Sequence, residues 1–170
     1  MTLIDIDKDT YRKHLNVVII SFVFGFAILS LLFGQVLISA FSSGVEGESH
    51  FRFNLMGVVI GLAISSFTLS RFRKHVYFKE IYYVWQLKQL QNAIYRKVAK
   101  IKPQAMEGNI DALQIMDFYY RSLAQVYTLD NNTLTMNELV KNHQIIKDKA
   151  QEFQMTLAQT SFDKKVLSNF

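Results

Sequence analysis

The sequence predicts an all-α membrane protein: an N-terminal transmembrane helical hairpin followed by a cytoplasmic antiparallel three-helix bundle. Three observations predict it. No Asp, Glu, Lys or Arg occurs between Lys13 and Glu46, or between Arg52 and Arg71. Basic residues gather at the outer ends of those two stretches. The rest of the chain repeats apolar residues at three- and four-residue spacing, with no strand-type alternation to compete.

Composition points the same way. Half of the 170 residues are hydrophobic and only 19% are charged, against roughly 25% in soluble globular proteins. The deficit is local, because Arg71 to Phe170 carries 15 of the 19 basic and 9 of the 14 acidic residues. One chain is thus divided between two solvents. The absence of cysteine excludes disulfide frameworks, thiolate metal sites and cysteine nucleophiles.

Residues 1–16 read as a cytoplasmic segment. From Val17 to Ala40 the one strongly polar side chain is Gln35, and a helix of this length spans about 36 Å at ~1.5 Å per residue. That exceeds a hydrocarbon core of about 30 Å, so the first helix is expected to tilt. Apolar residues occupy every face, where a surface helix would keep a polar stripe. The second span, about residues 53–70, is near the lower length limit, but Arg71 and Arg73 can snorkel from its end. A buried hairpin in a soluble protein is disfavoured, because about 100 remaining residues cannot wrap two such helices. A cleaved signal is disfavoured too. Its n-region would contain Asp5, Asp7 and Asp9, and its apolar stretch would exceed the usual ~7 to 15 residues.

Lys8, Arg12 and Lys13 precede the first helix, and Arg71, Arg73, Lys74 and Lys79 follow the second, whereas only Arg52 lies between them. The positive-inside rule then places both termini in the cytoplasm, with Ser42 to Arg52, including Glu46, Gly47 and Glu48, as a short external turn. The expected localisation is the inner membrane, multi-pass. Arg71, Arg73, Lys74 and Lys79 are the candidate membrane-surface residues, each worth about 1 kcal/mol against anionic headgroups.

Gly57, Gly61 and Ser65 recur every four residues on the second helix, a small-residue ridge that permits close backbone approach in lipid. The first helix offers Ser21 with Gly25 and Ser30 with Gly34. Ser21 and Ser30 are half a turn apart in projection at ~100° per residue, so one pair is available to hold the second helix and the other a neighbouring subunit. Gln35 offers an interhelical hydrogen bond, or simply reaches the headgroups.

No glycine or proline interrupts the chain between Gly61 and Pro103, which predicts one continuous stem from the second span into the cytoplasm, ended by Pro103. Val84, Leu87, Gln91, Ile94, Val98 and Ile101 form its apolar stripe. Asn109 is placed to cap a second helix running to about Leu129, with Leu113, Met116, Tyr120, Leu123 and Tyr127 facing inward, and Asp130-Asn131-Asn132 as a turn. Thr135 with Glu138 forms a capping box for a third helix, whose stripe is Leu139, His143, Ile146, Ala150, Phe153 and Leu157. The helical domain is set at residues 71–160 and residues 161–170 read as a flexible tail. Trp85, in the run Tyr77, Phe78, Tyr82, Tyr83 and Trp85, is expected in the bundle core or at a subunit contact.

Chemistry is weakly signalled. His14, His50, His75 and His143 have no second ligand at helical metal spacing, so no metal or cofactor is expected and His143 reads as a satisfied core residue. Gly44 to Ser49 lacks the lysine of a phosphate loop. Arg71 to Lys102 carries a net charge of +8, yet juxtamembrane basic residues are required by topology alone, and nucleic acid is not the expected partner. Neither span contains an acid or base of the kind that marks transport paths.

The pieces Asp5-Ile6-Asp7-Lys8-Asp9, Tyr11-Arg12-Lys13-His14-Leu15-Asn16, Leu31-Leu32-Phe33-Gly34-Gln35 and Phe51-Arg52-Phe53-Asn54 resemble an uncharacterised bacterial family of small two-span membrane proteins, domain of unknown function 3087, over nearly the whole chain. The resemblance implies a bacterial inner membrane and brings no activity, substrate or catalytic residue. An anchor joined to an amphipathic bundle without a catalytic constellation leads to the functional expectation: a non-enzymatic membrane-anchored scaffold or regulatory subunit. Its partners would be the lipid bilayer and another membrane or cytoplasmic protein, or a second copy of itself, with no small-molecule substrate identified. The alternative is a subunit of a small oligomeric channel or transporter.

Overall fold

A computed structural model describes residues 1–44, 49–157 and 162–170, and every regular element among them is helical. Helices α1 (Lys8–Phe41) and α2 (Phe51–Phe72) are followed by a short 3-10 turn at Val76–Phe78 and by α3 (Lys79–Tyr95), α4 (Val98–Met106), α5 (Ile110–Leu129) and α6 (Met136–Glu152); a 3-10 helix, Lys164–Asn169, ends the chain. The chain divides into two compact units, Lys13–Tyr82 and Met1–Arg12 with Tyr83–Phe170.

In the first unit, α1 and α2 are each long and apolar enough to cross a membrane. Their most apolar 18-residue stretches are only 6% and 17% buried within the chain. A core helix of a soluble domain is mostly covered, which these two stretches are not. Gln35 is exposed and makes no hydrogen bond to α2 among the described residues. Glu46, Gly47 and Glu48 of the expected external turn lie outside the described residues.

The continuous stem is not observed. α2 stops at Phe72, and His75 takes an extended conformation whose Nδ1 accepts from the Tyr77 backbone N–H at 3.2 Å. A side-chain cap thus breaks the helix where no glycine or proline does. A second break falls at Arg96-Lys97, between α3 and α4. Pro103 does not end its helix either, lying inside α4. The stop comes at Gly108, with φ +88, the left-handed conformation glycine adopts at helix ends. A Cβ there would meet the Phe153 ring at 2.8 Å.

The second unit is built around α5, which buries Leu113, Ile115, Met116 and Phe118 almost completely. Asn109 caps it, its Oδ1 accepting from the Ala112 N–H at 3.0 Å. The buried face is broader than the expected stripe, because partners cover α5 from several sides. Val84, Leu87, Leu90 and Ile94 come from α3, Ile101 and Ala105 from α4, and Leu139, Ile146 and Ala150 from α6. Trp85 is 53% exposed, which removes the core from its two expected places and leaves the subunit contact: Val84 and Leu87 point inward, and Trp85 lies about 100° from Val84 around the helix. The Asp130–Asn132 turn is present, with Asn131 at φ +58. Thr135 occupies the N-cap of α6 but makes no side-chain cap hydrogen bond, so the predicted capping box does not form. α6 also stops at Glu152, short of Phe153 and Leu157, where Gln154 turns to φ +54.

Both chain ends are part of this unit, another departure from expectation. Phe162 is buried and stacks on Phe118 with ring centroids 4.8 Å apart. Leu167 is buried, and its carbonyl accepts from Lys97 Nζ at 2.6 Å. The Phe162 N–H donates to the Met1 carbonyl at 2.7 Å, and the Met1 amino group donates to the Phe162 carbonyl. The Ile4 N–H donates to the Tyr83 hydroxyl at 3.1 Å, and Gln125 Nε2 donates to the Ile4 carbonyl at 2.5 Å. Apolar side chains at positions 162 and 167 outweigh the fraying tendency of a polar terminus.

Tyr11 is 2% exposed and its hydroxyl donates to Asp130 Oδ1 at 3.2 Å. Burial, reinforced by the Asp130 charge, pushes its pKa up to about 12. An ordinary tyrosine of the unfolded chain ionises near 10. The unfolded state therefore loses its proton first, and the stability Tyr11 contributes is complete below pH ~10 and lost as pH rises toward about 12. Alkaline titration of unfolding is expected to show a steep decline over that window, shallower in Tyr11→Phe; identical slopes would contradict this assignment.

Candidate functional site

Small residues set the geometry of the hairpin unit. A Cβ on Gly57 would lie 2.5 Å from the Gly34 backbone N and 2.7 Å from the Ser30 carbonyl oxygen. One on Gly61 would lie 2.6 Å from Ser30 Oγ and 2.8 Å from the Ser30 backbone N. These are contacts that no side chain larger than hydrogen permits, and close approach of this kind maximises dispersion between helices without a hydrophobic driving force. Ser30 Oγ is satisfied within its own helix, donating to the Phe26 carbonyl at 2.7 Å. Of the two pairs on α1, the structure therefore brings Ser30 and Gly34 against Gly57 and Gly61.

Ser21 and Gly25 are placed differently. A Cβ on Gly25 would have nothing within 4 Å. Both residues line an open groove of about 340 Å³ together with Ser65, Thr68, Phe72 and Tyr77, among others. Ser65 is the third member of the α2 ridge and is 8% exposed, yet its Oγ has no hydrogen-bond partner. The Tyr77 ring, at one end of the groove, packs on His14 with centroids 3.9 Å apart, and His14 Nδ1 lies 3.3 Å from Glu80 Oε2. Arg71, Arg73, Lys74 and Lys79 are all exposed, and none forms an ion pair among the described residues. Sequence reasoning singled out Ser21, Gly25 and Ser65 of the groove but not Thr68, nor the pairing of His14 with Glu80, which are 66 positions apart.

A polar cluster lies in the other unit. Asp117 on α5 is buried; its Oδ2 takes Arg121 Nε and Nη2, each at 2.8 Å, and its Oδ1 lies 2.8 Å from His143 Nε2 on α6. His143 is thus a partnered interior residue. Asp117 was missed by sequence reasoning, although its i,i+4 relation to Arg121 was a usable signal. Gln91 Nε2 donates to Ser122 Oγ at 3.2 Å, a buried bond from α3 to α5. Burial pushes the Tyr119 pKa up to about 12, and that of Tyr120 upward. No group of three or more His, Asp or Glu residues suited to a metal occurs among the described residues.

A protein-family model described as Protein of unknown function (DUF3087) matches residues 1–167. No curated protein and no solved structure matches the chain.

Two outcomes are expected. Gly61→Leu, overpacking the seam, should cost about 1–3 kcal/mol and lower the melting temperature in detergent, whereas Gly25→Leu should leave it nearly unchanged. Asp117→Ala should destabilise the helical unit by about 1–3 kcal/mol, since it removes the buried carboxylate that meets both Arg121 and His143; chemical denaturation of the purified protein measures it.

Proposed function

The chain belongs to this family, DUF3087, and with no activity inherited from the match we propose that it is a membrane-anchored helical scaffold or regulatory subunit. It sits at the cytoplasmic face of an inner membrane with both termini inside. The observation that carries the reading is the uncovered apolar surface of α1 and α2, of which 6% and 17% of the most apolar stretches are buried. In water, leaving such area exposed costs about 25 cal/mol per Å²; in hydrocarbon it costs nothing.

The scaffold role is supported by the helical unit. Its polar interior groups pair with one another across helices, while Tyr95, Leu134, Val140 and Ile145 are left exposed at 68%, 94%, 57% and 45%. Each of these side chains leaves apolar area that a partner protein can cover. The orientation rests on seven basic residues flanking the spans against Arg52 alone between them.

Reporter fusions after Phe170 and between Ser42 and Ser49 test the topology: the C-terminal reporter should be active inside and the loop reporter outside. Site-specific photo-crosslinkers at Val140 and Ile145 test the scaffold role. A discrete adduct of defined mass is expected from them and not from a crosslinker at buried Ile146; a protein that yields none and stays monomeric in lipid is not a scaffold.

A further inference from the structure

We propose that the basic surface formed by Arg96, Lys100, Lys164 and Lys165 is a docking site for an acidic segment of a partner protein. The inference rests on the scaffold reading and adds the chemistry of the partner to it.

Two stretches far apart in sequence build this surface. Lys97, at the junction of α3 and α4, donates from Nζ to the Leu167 carbonyl at 2.6 Å, which sets the junction against the C-terminal 3-10 helix. Lys164 and Lys165 open that helix and lie within one of its turns of Leu167. Arg96 precedes Lys97, and Lys100 follows on α4 away from the buried Ile101 and Ala105. Arg96, Lys100, Lys164 and Lys165 are all exposed, and Lys97 and Lys102, both half-buried, add to the same charge.

The chain leaves this charge unanswered. Elsewhere the same unit pairs its cations, Lys88 with Asp130, Arg121 with Asp117 and Lys149 with Glu152. None of these six basic residues forms an ion pair among the described residues. The acids that adjoin them in the chain are Glu107, just past α4, and Asp163, whose Oδ1 accepts the Lys165 backbone N–H at 2.9 Å. Membrane topology does not require the charge either. The positive-inside rule counts basic residues within about 15–20 positions of a span, and Arg96 comes 24 positions after Phe72, the last residue of α2. Cations gathered in this way repel one another, and each carboxylate that a partner brings relieves the repulsion.

The make-up of the surface favours a protein over a nucleic acid. Five of the six cations are lysines, which lack the planar fork that grips a phosphate from two sides. Tyr95, next to Arg96, is 68% exposed, and tyrosine and arginine are residues in which protein interfaces are enriched. A single strand of nucleic acid asks instead for successive rings on which its bases stack.

The test uses the full chain in phosphatidylcholine nanodiscs, with fluorescein-labelled poly-glutamate as the probe. Saturable binding that weakens as salt is added is expected. Arg96→Gln with Lys100→Gln should weaken it about tenfold, whereas Lys141→Gln with Lys147→Gln, exposed lysines of α6, should change it less than about twofold. Lys164→Gln should also weaken binding, because the two stretches form one surface, and all three variants should melt as the wild type does. Equal losses from the two paired variants overturn the proposal, as does tighter binding of a single-stranded oligonucleotide or of phosphatidylglycerol vesicles through Arg96 and Lys100. A photo-crosslinker at Lys100 in the native membrane should yield an adduct with a segment rich in Asp and Glu. Adducts from Val140 and Ile145 but none from Lys100 fail only this surface; none from any of these positions fails the scaffold reading itself.

Discussion

The hairpin unit depends on two backbones touching. At Gly57 and Gly61 the surface of α2 is reduced to peptide atoms, and Ser30 and Gly34 of α1 lie against them at distances where any Cβ would collide. Two helices whose outer surfaces are uniformly apolar gain little by burying side chains against each other when the surroundings are equally apolar, so contact density must supply the attraction. That requirement explains why the small residues are spaced by four, one turn apart. It also explains why the large ones, such as Phe24, Leu31 and Phe67, are left facing outward at 65%, 70% and 71% exposure.

The helical unit follows the opposite logic. Its core gains from removing apolar surface from water, and its buried polar groups are tolerated only because they are paired. Asp117 is held from two directions, by Arg121 along its own helix and by His143 across to α6. Of the two contacts only the one to His143 reaches α6, so sliding α6 along α5 by one turn would cost that 2.8 Å contact while Arg121 stays beside Asp117. The two chain ends close the unit in the same manner, Met1 and Phe162 exchanging backbone hydrogen bonds while Phe162 seals the side of Phe118.

The parts legible in the sequence are those governed by local periodicity and composition. Charge-free stretches marked α1 and α2, Asn109 marked the start of α5, and the glycine-serine ridge marked the seam. What escaped was set by single side chains acting on backbone or across long separations. Nothing around His75 announces that its imidazole will cap a turn and break the stem. Pro103 looked like a terminator because proline usually is, yet one lost hydrogen bond within a packed helix is a cost that the burial of Ile101 and Ala105 can offset. The tail appeared too polar to order, but its order depends on Phe162 and Leu167 finding places beside α5 and Lys97, which no local pattern encodes. In the candidate groove, Ser21, Gly25 and Ser65 were visible as small residues; that Ser65 would be buried without a partner was not.

That last point separates two kinds of small residue which look identical on paper. Gly57 and Gly61 are small because something is already there, and enlarging them must push a backbone aside. Gly25 is small although a Cβ at that position would have nothing within 4 Å. Packing between α1 and α2 therefore accounts for the first kind and not for the second.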